Sequence, residues 1–469
     1  MRFDFRLAQG PRPSSPTPHT PFRILVLGDF EGRSSRGVTR PAADRRPVRL
    51  DMDTLDEFLG RLGAEAEFDL PGASAPTRVG FATIDDLHPD RLFACVDRFS
   101  DLRKTRQGLL DPTTFAAAAD VGSDSDTLQR LLGRRASPAT TTAARTTDPV
   151  ADIIRPLVAG HVVPGPPSDQ QARVAAVDAA IGETMRRVLH APAFQALESA
   201  WRGLEFLLRR IETGESLQIY ALNLSKEDLL ADLSAAGDLE QTALFRILVE
   251  SAMGSLGANP WALILGFCSF SLDPRDLESL ARMATLAQAA GAPFVAAASG
   301  ELLKTVLQSP ERVASEDGWM ALRAAPSAAY LGLVGPRFLL RLPYGRSTEP
   351  VSAFAFEELP DGADHEAYLW APPAAALGVF VATMFVESGW GMSLRPVFDL
   401  AGLPVHVHKE GGEAVTTPCA ETWLTDSQAE ALARHGVIPL QSIRGRDAVR
   451  IASVPSLREP AVTLAGRWD

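Results

Sequence analysis

The chain has 469 residues and 50.3 kDa, more than one ordinary core holds, so two or three domains of about 150 residues are expected. Its 46% hydrophobic and 22% charged residues exclude a wholly disordered chain. A net charge of −12 argues against a general affinity for nucleic acid or an anionic membrane. Cys95, Cys268 and Cys419 lie far apart, so neither a disulfide framework nor a cysteine-rich zinc site is expected, and a reducing cytoplasm fits.

The start, Met1-Arg2-Phe3-Asp4-Phe5, lacks the apolar run of a secretory signal. Phe3, Phe5 and Leu7 alternate with polar residues and would share one face of a strand. The Pro/Ser/Thr tract from Gly10 to Pro21 reads as an extended tether, so residues 1–20 are set apart as an arm.

A first unit is expected over 21–112. Phe22 to Gly28 reads as a buried strand and Pro47 to Asp51 as a short one. Asp53 caps a helix with Leu55, Phe58, Leu59 and Leu62 on one face. Glu65 to Leu70 and Arg78 to Thr83 are further strands. One long helix begins at Asp86-Leu87-His88-Pro89 and carries Leu92, Val96, Phe99, Leu102 and Leu109, an apolar face that needs a partner. Residues 113–170 read as a linker. Within it, Val150, Ile153, Ile154, Leu157 and Val158 form the face of a docking helix between a low-complexity run (Ala136 to Asp148) and the breaker cluster Pro164 to Pro167.

The second unit spans 171–469. Val174, Val177, Ile181, Met185 and Val188 mark one helix, and Phe194, Leu197, Trp201, Leu204, Leu208 and Ile211 a second. Strands follow at Leu217 to Leu224, Trp261 to Phe270 and Pro293 to Ala298, between helices opened by Ser225 to Asp228 and by Asp273-Pro274. The greasy stretch Ala371 to Val386 has 16 residues, fewer than the ~20 that span a bilayer, and is expected as a buried helix without membrane insertion. Thr425-Asp426-Ser427-Gln428 is a capping box opening a helix, before a strand at Val437 to Ile443. The fold class predicted is α/β (mixed α+β): a small α+β unit, then a mixed or parallel sheet covered by helices.

Catalytic signatures are absent: no P-loop, dinucleotide, zinc-protease or nucleophile-elbow motif occurs. His406 and His408 share one strand face near Glu410 and Cys419, the best metal candidates, yet nothing supplies further ligands at regular spacing. An exposed strand beside a Lys409 to Gly412 turn explains them without a metal. Asp29 is a carboxylate at a sheet edge or a turn residue bonding its own backbone, and the turn is favoured. Asp85 and Asp86 sit where helix-start carboxylates belong. No catalytic, cofactor-binding or metal residue is assigned.

Several of these stretches resemble one family. Phe194 to Leu204 (FQALESAWRGL), Asp273 to Asp276, Ala292 to Ser299 and above all Pro336 to Gly345 (PRFLLRLPYG) are similar to the large subunit of the type VI secretion contractile sheath. Leu369-Trp370, Gly389-Trp390, Gly402 to Val405 and Leu424 through Leu440 continue the likeness, which covers about 171–460. Phe22 to Gly32 (FRILVLGDFEG), Pro47 to Asp51 and Ile84 to Asp90 resemble the small subunit more briefly. The resemblance implies a natural fusion of an obligate pair, which the linker holds at high effective concentration. The family's large subunits continue past the point matching Ser456 to Pro460, so part of their C-terminal region is expected to be lacking.

It further implies a cytoplasmic, non-catalytic structural component without cofactors. The chain would assemble with itself or with a full-length large subunit into a helical tube that contracts to drive an inner tube. Inner-tube and baseplate proteins are implied partners, and recognition by the recycling ATPase is left open. Phe3, Phe5 and Leu7 are the expected strand donors to a neighbouring protomer. Leu92, Phe99, Leu102 and Leu109 are the expected packing face between units or subunits. Two other readings stay open: a sheath paralogue that caps, initiates or regulates assembly, and an α/β hydrolase-like or metal-dependent enzyme.

Overall fold

The computed structural model describes residues 15–70, 75–111, 168–235, 237–253, 259–360, 362 and 364–468. The arm residues Phe3, Phe5 and Leu7 and the docking helix of the linker lie outside them. Strand β1 (Phe22–Gly28) sends Phe22, Ile24 and Val26 into one apolar layer and Leu25 and Leu27 into the other. A strand apolar on both faces requires helices on both sides of its sheet. β2 (Val48–Leu50) and helix α1 (Leu55–Leu62) follow, then the antiparallel pair β3 (Ala64–Phe68) and β4 (Thr77–Phe81). Asp51, not Asp53, ties the start of α1: its Oδ1 accepts from Thr54 N and Oγ1 at 2.9 and 2.8 Å.

The single long helix expected from His88 is broken. α2 (Pro89–Cys95) and α3 (Ser100–Leu110) are separated by an extended Val96 and the turn Asp97–Phe99. Arg103 directs its guanidinium back to the carbonyls of Phe93 and Val96. A cation thus satisfies helix-end carbonyls that a further turn would otherwise take.

The second segment begins with α4 (Ser168–Leu189) and α5 (Pro192–Arg210), parted where Pro192 cannot continue a helix. Then come β5 (Leu217–Asn223), α6 (Lys226–Ala235), β6 (Leu263–Phe270), α7 (Pro274–Ala290), β7 (Phe294–Ala298), α8 (Gly300–Gln308), α9 (Asp317–Ala324) and β8 (Leu331–Gly335). After β9 (Phe338–Leu339) and β10 (Trp370–Ala371), the greasy stretch forms α10 (Ala374–Ser388). Among the described residues one stretch, Ala374–Gly391, which includes this helix, is long and apolar enough by length and composition to cross a membrane. In the fold its side chains from Ala374 to Phe385 are buried, Thr383 apart. The chain ends with β11 (Phe398–Ala401), β12 (His406–Glu410), β13 (Glu413–Thr417), α11 (Asp426–Arg434), β14 (Val437–Pro439), β15 (Gln441–Ser442) and β16 (Ala448–Ile451).

The main sheet has the order β14-β8-β7-β6-β1-β5-β2, and every pair is parallel except β2 on β5. It is flanked by helices, the mixed α+β architecture that the alternating pattern predicts. β5 and β6 follow one another in the second segment but do not touch. β1 lies between them, registered Phe22↔Leu217 to Gly28↔Asn223 on one side and Ile24↔Leu263 to Leu27↔Gly266 on the other. The two segments therefore share one sheet, and β1 cannot leave it without opening two ladders. The strand expected over Val437 to Ile443 divides at Leu440. Leu440 N–H still donates to the Gly335 carbonyl at 2.9 Å, and Pro439 is tolerated because β14 is an edge strand; beyond Leu440 the chain leaves β8, and β15 joins the small sheet β11-β16-β15.

Candidate interface between the two segments

The turn after β1 is built by its own residues. Asp29 accepts from Arg33 N at 3.0 Å and Ser34 N at 2.7 Å, so its carboxylate is engaged by the loop it begins. Gly32 has φ +67°, and a Cβ there would lie 2.5 Å from the Glu65 carbonyl oxygen, so only glycine fits. Phe30 N–H donates to Asn223 Oδ1 at 3.0 Å, and the Phe30 carbonyl accepts from Trp201 Nε1 at 2.8 Å.

This turn carries Arg33 into the interior, where none of it is exposed. Its Nη2 lies 2.7 Å from Asp228 Oδ2 on α6, and its Nε 2.8 Å from Glu31 Oε2. Arg45 Nη2 stands 3.2 Å from the same Asp228 oxygen, and Arg40 N donates to Oδ1 at 3.0 Å. Burial alone would raise the Asp228 pKa. The Arg40 amide and the Arg33 and Arg45 guanidiniums outweigh it and hold the carboxyl below its usual range.

A second ionic cluster joins two stretches that carry the family resemblance. Arg341 Nε donates to Glu198 Oε1 at 2.9 Å, and its Nη1 and Nη2 bind the Glu358 oxygens at 2.8 and 3.1 Å. Arg202 adds 2.8 Å to Glu198 Oε1 and 3.1 Å to Tyr344 Oη. All of these charges belong to the second segment. Burial would raise the Glu358 carboxyl, but Arg341, with His190 and the Tyr344 amide, holds it at about 2. Burial pushes the Tyr344 hydroxyl up to about 12. The first segment touches this cluster from outside: the His88 ring meets Tyr344 edge-on at 5.0 Å, and Asp90 Oδ1 accepts from Ala353 N at 2.8 Å.

Leu92, Phe99 and Leu109 are buried and Leu102 half-buried, in the same apolar layer as Val177, Ile181 and Met185 of α4. Arg106 pairs with Asp178 at 2.7 Å, and Gln170 Nε2 donates to the Leu109 carbonyl at 2.5 Å. His406 is buried, with Nδ1 2.7 Å from Tyr368 Oη and its ring stacked on His408 at 5.6 Å. Burial, then the neighbouring His408, lowers its pKa. Burial pushes the Cys419 thiol up to about 11. Among the described residues no group of three or more His, Cys, Asp or Glu is placed to hold a metal. Asp86 Oδ2 accepts from Ala82 N and Thr83 N at 2.8 and 3.0 Å, and Asp85 shares that first turn.

The sequence reading assigned no role to Arg33, Asp228, Glu198, Arg341 or Glu358. Glu198 had a usable signal, a carboxylate beside Leu197 on a buried helix stripe. Asp228 had none, because its place in a helix-opening tetrad explains it locally.

A mostly parallel sheet completed in its middle by a strand from an N-terminal segment defines a two-part α/β scaffold. Residues 171–458 match the family model of VipB (EvpB), the tail sheath N-terminal domain, and residues 14–135 match that of VipA of the type VI secretion system. The chain belongs to the type VI tail sheath family and carries both kinds of sheath domain in one polypeptide. It is 35% identical over 308 residues to the type VI secretion system sheath protein TssC1 of Pseudomonas aeruginosa, a match spanning 61% of either chain. Membership of that family supports a structural sheath component.

Proposed function

We propose that the chain is a non-catalytic, cytoplasmic protomer of a type VI contractile sheath, a small and a large subunit fused in one polypeptide. It assembles with itself or with a full-length large subunit into a helical tube whose contraction drives an inner tube. Inner-tube and baseplate proteins are its further partners. The observation that carries the reading is β1, which fills the slot between β5 and β6 and makes the two family-matched segments one folded body.

In this reading Leu92, Phe99, Leu102 and Leu109 form the packing face between the units, and Phe3, Phe5 and Leu7 form a strand donated to a neighbouring protomer. The reading draws support from the engagement of Asp29 by its own loop and of His406 by Tyr368. Electron microscopy of the purified protein, alone and co-expressed with a full-length large subunit, tests it. Tubes that contain this chain along their length, in either sample, support a sheath protomer. Rings or caps on a tube built by the large subunit alone point to a regulator. Stoichiometric bound zinc or iron in the purified protein would contradict the non-catalytic reading.

A further inference from the structure

We propose that Asp228 is the residue by which the second segment selects its first segment, admitting a segment with arginines at positions 33 and 45 and rejecting one without them. The β1 ladders cannot select by themselves. Main-chain hydrogen bonds are the same for any residue, and many apolar heptads would suit the two layers. Discrimination must come from side chains whose mismatch is costly, above all buried charges.

Asp228 meets this condition better than the other buried charges. Its side chain is wholly shielded from solvent, as is that of Arg33. Both cations beside it, Arg33 and Arg45, belong to the first segment, as does the Arg40 amide on Oδ1. Among the described residues of its own segment the carboxylate receives only Ser225 N, at 3.4 Å. Lys226, two residues away, is engaged by Asp276 at 2.8 Å. Glu198 and Glu358 are balanced by Arg341 and Arg202, all within the second segment, so the charges of that cluster are matched whichever first segment is present. A first segment lacking Arg33 would leave Asp228 buried beside one remaining cation, and it would be rejected for that reason. The class of partner admitted is the chain's own first segment, or that of a second copy.

The test uses three full-length variants, Arg33→Leu, Asp228→Leu and the double substitution. Each single change is expected to lower the melting temperature by roughly 3–5 °C, because it removes one partner of a buried ion pair. The double variant should recover most of that loss. Glu31 keeps Arg40 at 3.6 Å, and Arg45 keeps its bond to the Asn223 carbonyl. A role confined to packing would not produce that recovery.

Selection itself is read by co-expressing the Arg33→Leu chain with the Asp228→Leu chain. Matched pairs then exist only between chains, so the co-expressed mixture should melt near wild type, or become soluble if the single variants do not fold. The same chains purified separately and then mixed should not. Wild-type melting of either single variant, a double variant as weak as the summed singles, or no recovery on co-expression each overturns the proposal. The readout is pairing rather than tube formation, so its failure leaves the sheath reading untouched.

Discussion

Trp201 Nε1 donates a 2.8 Å hydrogen bond to the Phe30 carbonyl, and both side chains are wholly buried. The two residues lie 171 positions apart in the chain, in segments that match different sheath families. The indole is core, as its apolar stripe suggests, yet its one polar atom reaches across to the other segment.

Trp201→Phe should therefore destabilise the folded chain by about 1–3 kcal/mol, mostly by leaving a buried carbonyl without its donor. Urea unfolding checks this: the midpoint should fall while the dependence on urea stays the same. An unchanged midpoint would mean that the bond contributes nothing.

Acid should weaken the fold through Glu358. Its carboxyl is held at about 2, below the ordinary 4.5. A depressed folded-state value contributes stability that is present above about pH 4.5 and lost as pH falls towards 2, on the order of 3 kcal/mol in all. Glu358→Gln should flatten that part of the stability–pH curve. It should also cost stability at pH 7, where Arg341 would lose one of its two carboxylates. A variant with the wild-type acid limb would assign the effect to other groups.

Cutting the connection should not separate the segments. With a protease site inserted between 136 and 148, the cleaved fragments should co-elute at wild-type size, because β1 is held by ladders on both edges. Amides of β1 should exchange with deuterium as slowly as those of β6. A fragment of residues 1–136 that leaves as a stable monomer contradicts the shared sheet.

The arm is expected to serve assembly and not folding. Deletion of residues 1–9, or Phe3→Asp with Phe5→Asp, should abolish higher-order particles in light scattering while leaving the protomer's melting temperature almost unchanged. Particles at wild-type level after deletion would leave the arm no role in strand donation.

Much of the scaffold was legible because local patterns met no competing long-range demand. Asp273 caps α7 through Arg275 N at 2.9 Å, and Thr425 with Gln428 forms the capping box that opens α11. Phe22 to Gly28 is apolar on both faces and so reads as a buried strand. No local feature says whose sheet it enters, since β5 and β6 lie about 190 residues or more downstream. The break at Val96 was hidden because apolar spacing continues across it, and its cause is the reach of Arg103 to Phe93 and Val96. The pairing of Arg33 with Asp228 was hidden for another reason: each residue has a sufficient local explanation, as loop cation and as helix-opening acid.

The central claim, a fused sheath protomer, is tested most directly by electron microscopy of the full-length protein at high concentration, alone and after co-expression with a full-length large subunit. The account predicts helical tubes that contain this chain along their whole length in at least one of the two samples. Dispersed monomers in the first sample, together with tubes lacking this chain in the second, would contradict it.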